Sequence, residues 1–461
     1  MLEKFLNIFR IPDLRKRVLF TLGILAVYRL GAFIPTPGVN AHQLELLFNQ
    51  QSGSALGLMD LFGGGNLRRM TVFALGIMPY ITASIIFQLL TVVYEPLARI
   101  QKEGELGRRK ITQWTRYMTV ILGALQSIGI AAILTKQGLV TDPGIGFVLM
   151  TVLTLTTGTA FIMWLGEQIT DRGIGNGMSL LIFAGIIAGL PRGIGDMIQL
   201  VQRSAWGTFT IFAVLLMAVG MVAVVAFIVF VERSERRIPI QSARRIVGRR
   251  MMGGQSSHLP LKVNSGGVMP VIFASSILSA PLLFGQVEWV QNNKFLQPIL
   301  QALLPGYPWY ELLYMLGIIF FAYFYVSIVM KPDDIADNFR KSGSFIPGIR
   351  PGKRTSDFIN DILTRITLVG ALYLIVISLV PTFLISGIRF DKIWLIGRLF
   401  ESLPAWATHG LGVNFYFGGT SLLIVVGVAM DTVNQIESQL IMRHYDGFSP
   451  RSGRIRGRKT W

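Results

Sequence analysis

Ten apolar runs, each bounded by charge or by Gly/Pro clusters, recur along this chain and limit what it can become. A run of about 20 apolar residues, wound as a helix, spans the hydrocarbon of a bilayer. Lipid offers no hydrogen-bond partner to an open backbone, so such runs are expected to be helical. They fall at Val18–Ile34, Thr71–Val93, Tyr117–Leu134, Phe147–Gly166, Met178–Leu190, Thr208–Phe230, Gly266–Phe284, Tyr310–Met330, Ile366–Leu384 and Phe415–Met430. The fifth is short for a span, because its run stops at Leu190-Pro191. The expected fold class is an all-α polytopic membrane protein with ten transmembrane helices.

Composition agrees: 52% of the 461 residues are hydrophobic and 15% are charged, against about 25% charged in ordinary soluble domains. A net charge of +18 fits either a nucleic-acid partner or a membrane with basic inner loops. Where the charges fall decides. With ten crossings and the N-terminus in the cytoplasm, 33 of the 43 Lys/Arg lie in inside segments and 9 in outside loops, with Arg29 inside the first span. That asymmetry is a strong positive-inside signal, and it places both termini in the cytoplasm. If the fifth run did not cross, the basic loop 231–263 would face outward.

The expected organisation is a cytoplasmic segment 1–17, an N-terminal half 18–190, a C-terminal half 191–436 with cytoplasmic loops 231–263 and 331–365, and a basic tail 437–461 expected to be disordered toward its end. Two five-span halves would be inverted relative to each other, because five is odd. The first run is read as a permanent span, since Pro35-Thr36-Pro37-Gly38 offers no small-x-small cleavage pattern.

Signals for catalysis are poor. Cys is absent, which removes disulfides and thiolate metal sites, and His42, His258, His409 and His444 show no ligand spacing. Gly348-Ile-Arg-Pro-Gly352-Lys353 has one residue too few between glycines for a phosphate loop, and Arg354 stands where a Mg²⁺-binding hydroxyl belongs. Gly173-Ile-Gly175-Asn-Gly177 misplaces the third glycine of a dinucleotide fingerprint. No enzyme, metal or cofactor is expected.

The spans are nearly free of ionisable groups; Glu311 and Asp431 stand at margins, and Arg29 reads as a packing or snorkelling arginine. An ion-coupled carrier usually holds an intramembrane carboxylate. A conduit for varied cargo instead avoids groups that bind it. Ser84, Gln88, Gln126, Ser127, Ser275 and Ser276 are among the polar uncharged residues within spans. They fit interhelical hydrogen bonds or a seam that can part. Between the first two spans, Leu56–Gly65 is too glycine-rich to cross and too apolar for an ordinary loop. It fits a re-entrant segment or a surface turn. Arg233, Arg236, Arg237, Arg244, Arg245, Arg249 and Arg250 cluster in one inside loop; Arg340, Lys341, Arg350, Lys353 and Arg354 cluster in another. They serve topology and lipid attraction, or dock a phosphate-rich partner such as ribosomal RNA.

Long ordered motifs go further. They are Ala74-Leu-Gly-Ile-Met-Pro-Tyr-Ile81, Lys102-Glu-Gly-Glu-Leu-Gly-Arg-Arg-Lys110, Trp164-Leu-Gly-Glu-Gln-Ile-Thr-Asp-Arg-Gly-Ile-Gly-Asn-Gly177, Gln255-Ser-Ser-His-Leu-Pro-Leu-Lys-Val-Asn264, Phe345-Ile-Pro-Gly-Ile-Arg-Pro-Gly352 and Phe417-Gly-Gly-Thr-Ser-Leu-Leu-Ile424. Through them nearly the whole chain resembles the SecY/Sec61-alpha family of Sec-translocon channels, in its bacterial form. The resemblance implies a protein-conducting channel of the bacterial inner membrane. Such a channel passes unfolded secretory chains and releases transmembrane segments sideways.

The resemblance also implies two inverted halves and a plug within 57–69 that includes Gly57, Leu58, Met59, Asp60, Leu61, Phe62, Gly63, Gly64 and Gly65. It implies a pore ring of Ile81, Ile85, Ile182, Ile186, Ile272 and Ile424. A lateral gate is implied between the second and third spans and the seventh and eighth, bearing Ser84, Gln88, Gln126, Ser275 and Ser276. Partner docking is implied through Arg236, Arg237, Arg244, Arg245, Arg249, Arg250, Arg350, Lys353 and Arg354. The implied partners are SecE-like and SecG-like small membrane subunits, the SecA motor ATPase, the ribosome, signal peptides and nascent chains, and membrane lipid. Met178-Ser-Leu-Leu beside the fifth-span ring residues departs mildly from the family pattern, where isoleucines are more usual. The runner-up reading is a secondary transporter for a small solute, and a membrane-assembly scaffold comes third.

Overall fold

A computed structural model of the chain describes residues 11–40, 43–44, 60, 63–202, 210–242, 245–247, 250–252, 256–284, 303, 307–386 and 419–446. Each of the ten apolar runs lies largely on one helix. In chain order these are α1 (Pro12–Gly31), α2 (Met78–Val93), α4 (Glu105–Lys136), α5 (Ile145–Arg172), α6 (Gly177–Gln202), α7 (Thr210–Arg233), α8 (Met269–Phe284), α9 (Pro308–Val329), α11 (Lys353–Ser386) and α12 (Gly419–Asp446). Two short helices, α3 (Glu95–Lys102) and α10 (Pro332–Ser342), are polar. At least five helices among the described residues, α4, α5, α6, α9 and α11, are long and apolar enough to cross a bilayer. A sixth span results if α2 and α3, bent by 99° at Tyr94, are taken together.

The helices depart from the expected runs at several ends, three of which matter most for the fold. The second begins at Met78, not Thr71: residues 71–77 form turns, Gly76 sits at φ +56°, and Pro79 suits a first helical turn. The fifth continues through Pro191 to Gln202, so the expected boundary at 190/191 falls inside α6. The ninth begins at Lys353, well before the apolar run at Ile366, so α11 extends beyond its apolar stretch.

Packing sorts the helices into two groups. Among the described residues, α1, α2, α4, α5 and α6 pack as one group and α7, α8, α9, α11 and α12 as another, and contacts of α8 with α2 and α4, and of α6 with α7 and α12, join the groups. Tyr28, Phe73, Phe161 and Trp164 stack in sequence with ring centroids 5.8, 6.1 and 5.7 Å apart, tying α1 to α5. Arg29 and Arg69 each lie over the ring of Phe33, at 5.7 and 5.4 Å from its centroid. Leu14 and Ile174 share a small core with Ile436 and Leu440, so the start of α1, the α5–α6 turn and the later part of α12 meet at one end. Leu44, Leu67, Met70, Leu139 and Phe147 share another core that gathers the intervening loops.

The two basic loops join into one structure. Strand β1 (Glu235–Ser242) pairs antiparallel with β4 (Ser256–Lys262) from Glu235↔Lys262 to Gln241↔Ser256, and with β5 (Ser344–Phe345) at Gln241↔Phe345, in the order β4-β1-β5. A hairpin of β2 (Arg245–Val247) and β3 (Arg250–Met252) projects between β1 and β4 in sequence. Ile238 and Leu261 are buried with Val326, Ile346, Ile359, Ile362, Leu363 and Ile366, giving this platform a core of its own. Alternation does this: Ile238 and Ile240 are buried while Arg237 and Pro239 are exposed, the period-two pattern of a half-buried strand.

Candidate functional site

The site grows from helix spacing. Residues four apart share a helix face, so α2 presents Ile81 with Ile85, and α6 presents Ile182 with Ile186. α8 adds Ile272 and α12 adds Ile424. All six belong to one apolar cluster that crosses the boundary between the helix groups: Ile85, Ile182, Ile186, Ile272 and Ile424 are buried, and Ile81 is partly buried against them. Sequence spacing alone gives two pairs; the structure places all six within the same large apolar cluster.

Of the glycine-rich segment, Asp60 and Gly63–Gly65 are described; Gly57, Leu58, Met59, Leu61 and Phe62 lie outside the described residues. Gly64 takes φ +69°, and a Cβ there would stand 2.4 Å from the carbonyl oxygen of Gly185 and 2.7 Å from its Cα. Only glycine fits both demands. The segment therefore rests on α6 between Ile182 and Ile186.

Asp60 is buried and is bonded to the later part of the segment. Its Oδ1 accepts the Arg68 backbone N–H at 2.9 Å, and its Oδ2 lies 3.8 Å from Arg68 Nε. Its carbonyl accepts Gly65 N–H at 3.0 Å. Asn66 Nδ2 donates to the Tyr28 hydroxyl at 3.4 Å, tethering the segment to α1. Sequence reading missed both the Asp60–Arg68 pair and the Gly64–Gly185 approach; the acid eight residues before a base, around three glycines, was the available signal.

The polar gate candidates lie on α2, α4 and α8, two of which also carry candidate ring isoleucines. Gln88 Nε2 donates to Ser84 Oγ at 3.2 Å within α2. Ser275 Oγ donates to the Ile272 carbonyl at 3.0 Å within α8. Gln126 Oε1 and Ser276 Oγ are buried without a hydrogen-bond partner among the described residues. Among the described residues, none of these side chains bonds from one helix to another.

The docking candidates divide. Arg236 and Arg237 are exposed on β1, and Arg237 pairs with Glu235 at 2.7 Å. Arg245 and Arg250 stand on the β2–β3 ladder, opposite Met252 and Val247. Arg244 and Arg249 lie outside the described residues. Arg350 is exposed in the turn before α11, where its carbonyl accepts Thr355 Oγ1 at 3.0 Å. Lys353 and Arg354 occupy the first turn of α11, which carries no acid. A helix N-terminus favours anions, so these cations work against helix stability and leave a concentrated positive field.

Two groups of apolar helices joined through one apolar cluster, with a glycine segment packed on α6, define a polytopic helical membrane protein. The SecY family model matches residues 71–433. Protein translocase subunit SecY of Escherichia coli (strain K12) is 48% identical over 441 residues, covering 94% of this chain and 93% of that one. The subunit of the same name from Streptomyces griseus is 46% identical over 467 residues, covering 97% and 100%.

Among solved structures, one described as that of a protein-conducting channel aligns with a TM-score of 0.66 at 17% identity, over 95% of each chain. One on the plug domain of the SecY protein aligns at 0.63 and 18%, again over 95% of each. Sec61 in a canine ribosome–channel complex from the endoplasmic reticulum aligns at 0.62 and 15%, also over 95% of each. The chain belongs to the SecY family. It is a protein-conducting channel subunit of the membrane, in a channel family and not an enzyme family; the solute-transporter alternative is not favoured.

Proposed function

We propose that unfolded polypeptides pass between the two helix groups through the Ile81, Ile85, Ile182, Ile186, Ile272 and Ile424 ring, with residues 57–69 as the plug. The observation that carries this is the seat of Gly64 on Gly185, between two ring isoleucines. Branched apolar side chains hold water and ions poorly, so the constriction closes without a ligand and offers cargo no charge to bind. The seam of α2 and α4 against α8 and α9 serves as the lateral gate. Closed, it leaves Gln126 Oε1 and Ser276 Oγ unsatisfied, at about 1–3 kcal/mol for each such group. An entering chain or water supplies the missing partners.

The helices make ten spans in two inverted halves of the bacterial inner membrane, with the platform and both termini in the cytoplasm. The charge split supports this orientation. The platform docks the ribosome, through RNA phosphate against Arg236, Arg237 and the Arg350–Arg354 turn, and the SecA motor. Ribosome-bound relatives of the same fold support the first of these. Small SecE-like and SecG-like subunits complete the assembly, and signal peptides and nascent chains enter the seam toward lipid.

Reconstitution into vesicles tests the function: an unfolded secretory chain should be protected from external protease only when the channel and a driving motor are present. Saturable solute flux without polypeptide passage would contradict it. Single cysteines at Ser234 or Gln241 should react with an impermeant thiol reagent from the cytoplasmic side, and one at Gln291 from the other; labelling of Gln291 from the cytoplasm would overturn the ten-span orientation. Arg350→Glu should abolish motor-driven export while the channel still inserts normally.

A further inference from the structure

The platform reaches α8 through residues 263–268, and this connection is held from several sides. Val263 N–H donates to the Ser234 carbonyl at 3.0 Å, fixing it to the exit of α7. Asn264 is 4% exposed, and its Nδ2 donates to Glu232 Oε1 at 2.6 Å and to the Gly267 carbonyl at 3.1 Å. One amide thus joins the end of α7 to the turn that starts α8. At 2.6 Å the contact with Glu232 is at the short end for an N–H···O bond.

Two further helices close on the same connection through glycines. A Cβ at Gly370 of α11 would stand 2.8 Å from the Val263 carbonyl oxygen, and a Cβ at Gly427 of α12 would stand 2.7 Å from Val268 Cγ1. The neighbouring Lys262–Asp431 pair, at 3.7 Å and largely exposed, adds little.

We propose that Asn264 is a positioning residue for channel opening: by gripping Glu232 and Gly267 together it makes the platform and α8 move as one body. α8 carries Ile272, Ser275 and Ser276, so a load on the platform reaches the constriction and the seam without a flexible link. The consequence for opening rests on the docking and gate roles proposed above; the joint itself does not.

The chain has no cysteine, so nitroxides introduced at Arg237 and Ile277, both exposed, report the platform–α8 distance in the full-length protein in lipid. The parent should give one narrow distribution. Asn264→Ala should broaden it, Asn264→Asp should broaden it because a carboxylate cannot donate to Glu232 or to the Gly267 carbonyl, and Glu232→Gln should narrow the Asn264→Asp distribution in part by restoring the first of these bonds with donor and acceptor reversed. Equal widths in the parent and Asn264→Ala would overturn the proposal.

A second arm adds vacant ribosomes to planar bilayers. Asn264→Ala should bind them as the parent does, while the conductance rise on binding falls about fivefold, a typical size for a lost coupling element. An equal rise at equal binding would also overturn it. Ribosomes that fail to bind the parent would remove the docking reading instead, and the distance arm alone then decides the joint.

Discussion

The proposed constriction and the proposed seam are built on the same helices with opposite chemistry. α2 carries Ile81 and Ile85 and, three residues on from each, Ser84 and Gln88; α8 carries Ile272 and then Ser275 and Ser276. The isoleucines share one apolar cluster across the helix groups, whereas the polar residues bond within their own helices or not at all. In the proposed reading, the apolar face is satisfied when closed and the polar face gains partners when parted. A channel that must seal against ions yet open sideways needs both surfaces on one moving helix.

This contrast can be broken from either side. The largest effect is expected at the plug seat. Deleting Leu58–Gly65 should raise resting ion conductance severalfold in planar bilayers with export largely retained, and Gly64→Val should do much the same, since its side chain would meet the Gly185 backbone. Conductance equal to the parent in both would detach the segment from the seal. The next effect is at the seam. Gln126→Leu with Ser276→Ala removes two unsatisfied buried groups, which should stabilise the closed protein by about 1–3 kcal/mol per group. Thermal unfolding in detergent should shift upward, while membrane integration of a test segment slows. Faster integration would mean that these residues do not oppose opening. The smallest effect is expected for Ser84→Ala: it loses only a bond within α2, so integration should change little.

Much of this was legible in the sequence, for reasons that differ by region. Apolar run length located the ten helices because lipid enforces helix on any run of that length. It misplaced the start of α2, where Gly76 and Pro79 override hydropathy, and the end of α6, where a helix tolerates Pro191. The six isoleucines were identifiable only through the family motifs, since isoleucines four apart are commonplace in membrane helices. The platform was hidden differently. Its two loops lie about a hundred residues apart, and charge counting drew attention to the arginines instead of to the alternating Ile238, Ile240, Leu259 and Leu261 between them. The Asn264–Glu232 bond spans 32 positions and had no local signature.

Resting conductance of the Ile81→Asn, Ile272→Asn double variant decides whether the isoleucine cluster is the seal. Two amides in place of branched side chains should wet the constriction and raise ion flux through single channels in a planar bilayer, with the plug segment intact. A double variant as tight as the parent, at normal folding and insertion, would make these isoleucines ordinary packing residues and place the seal elsewhere.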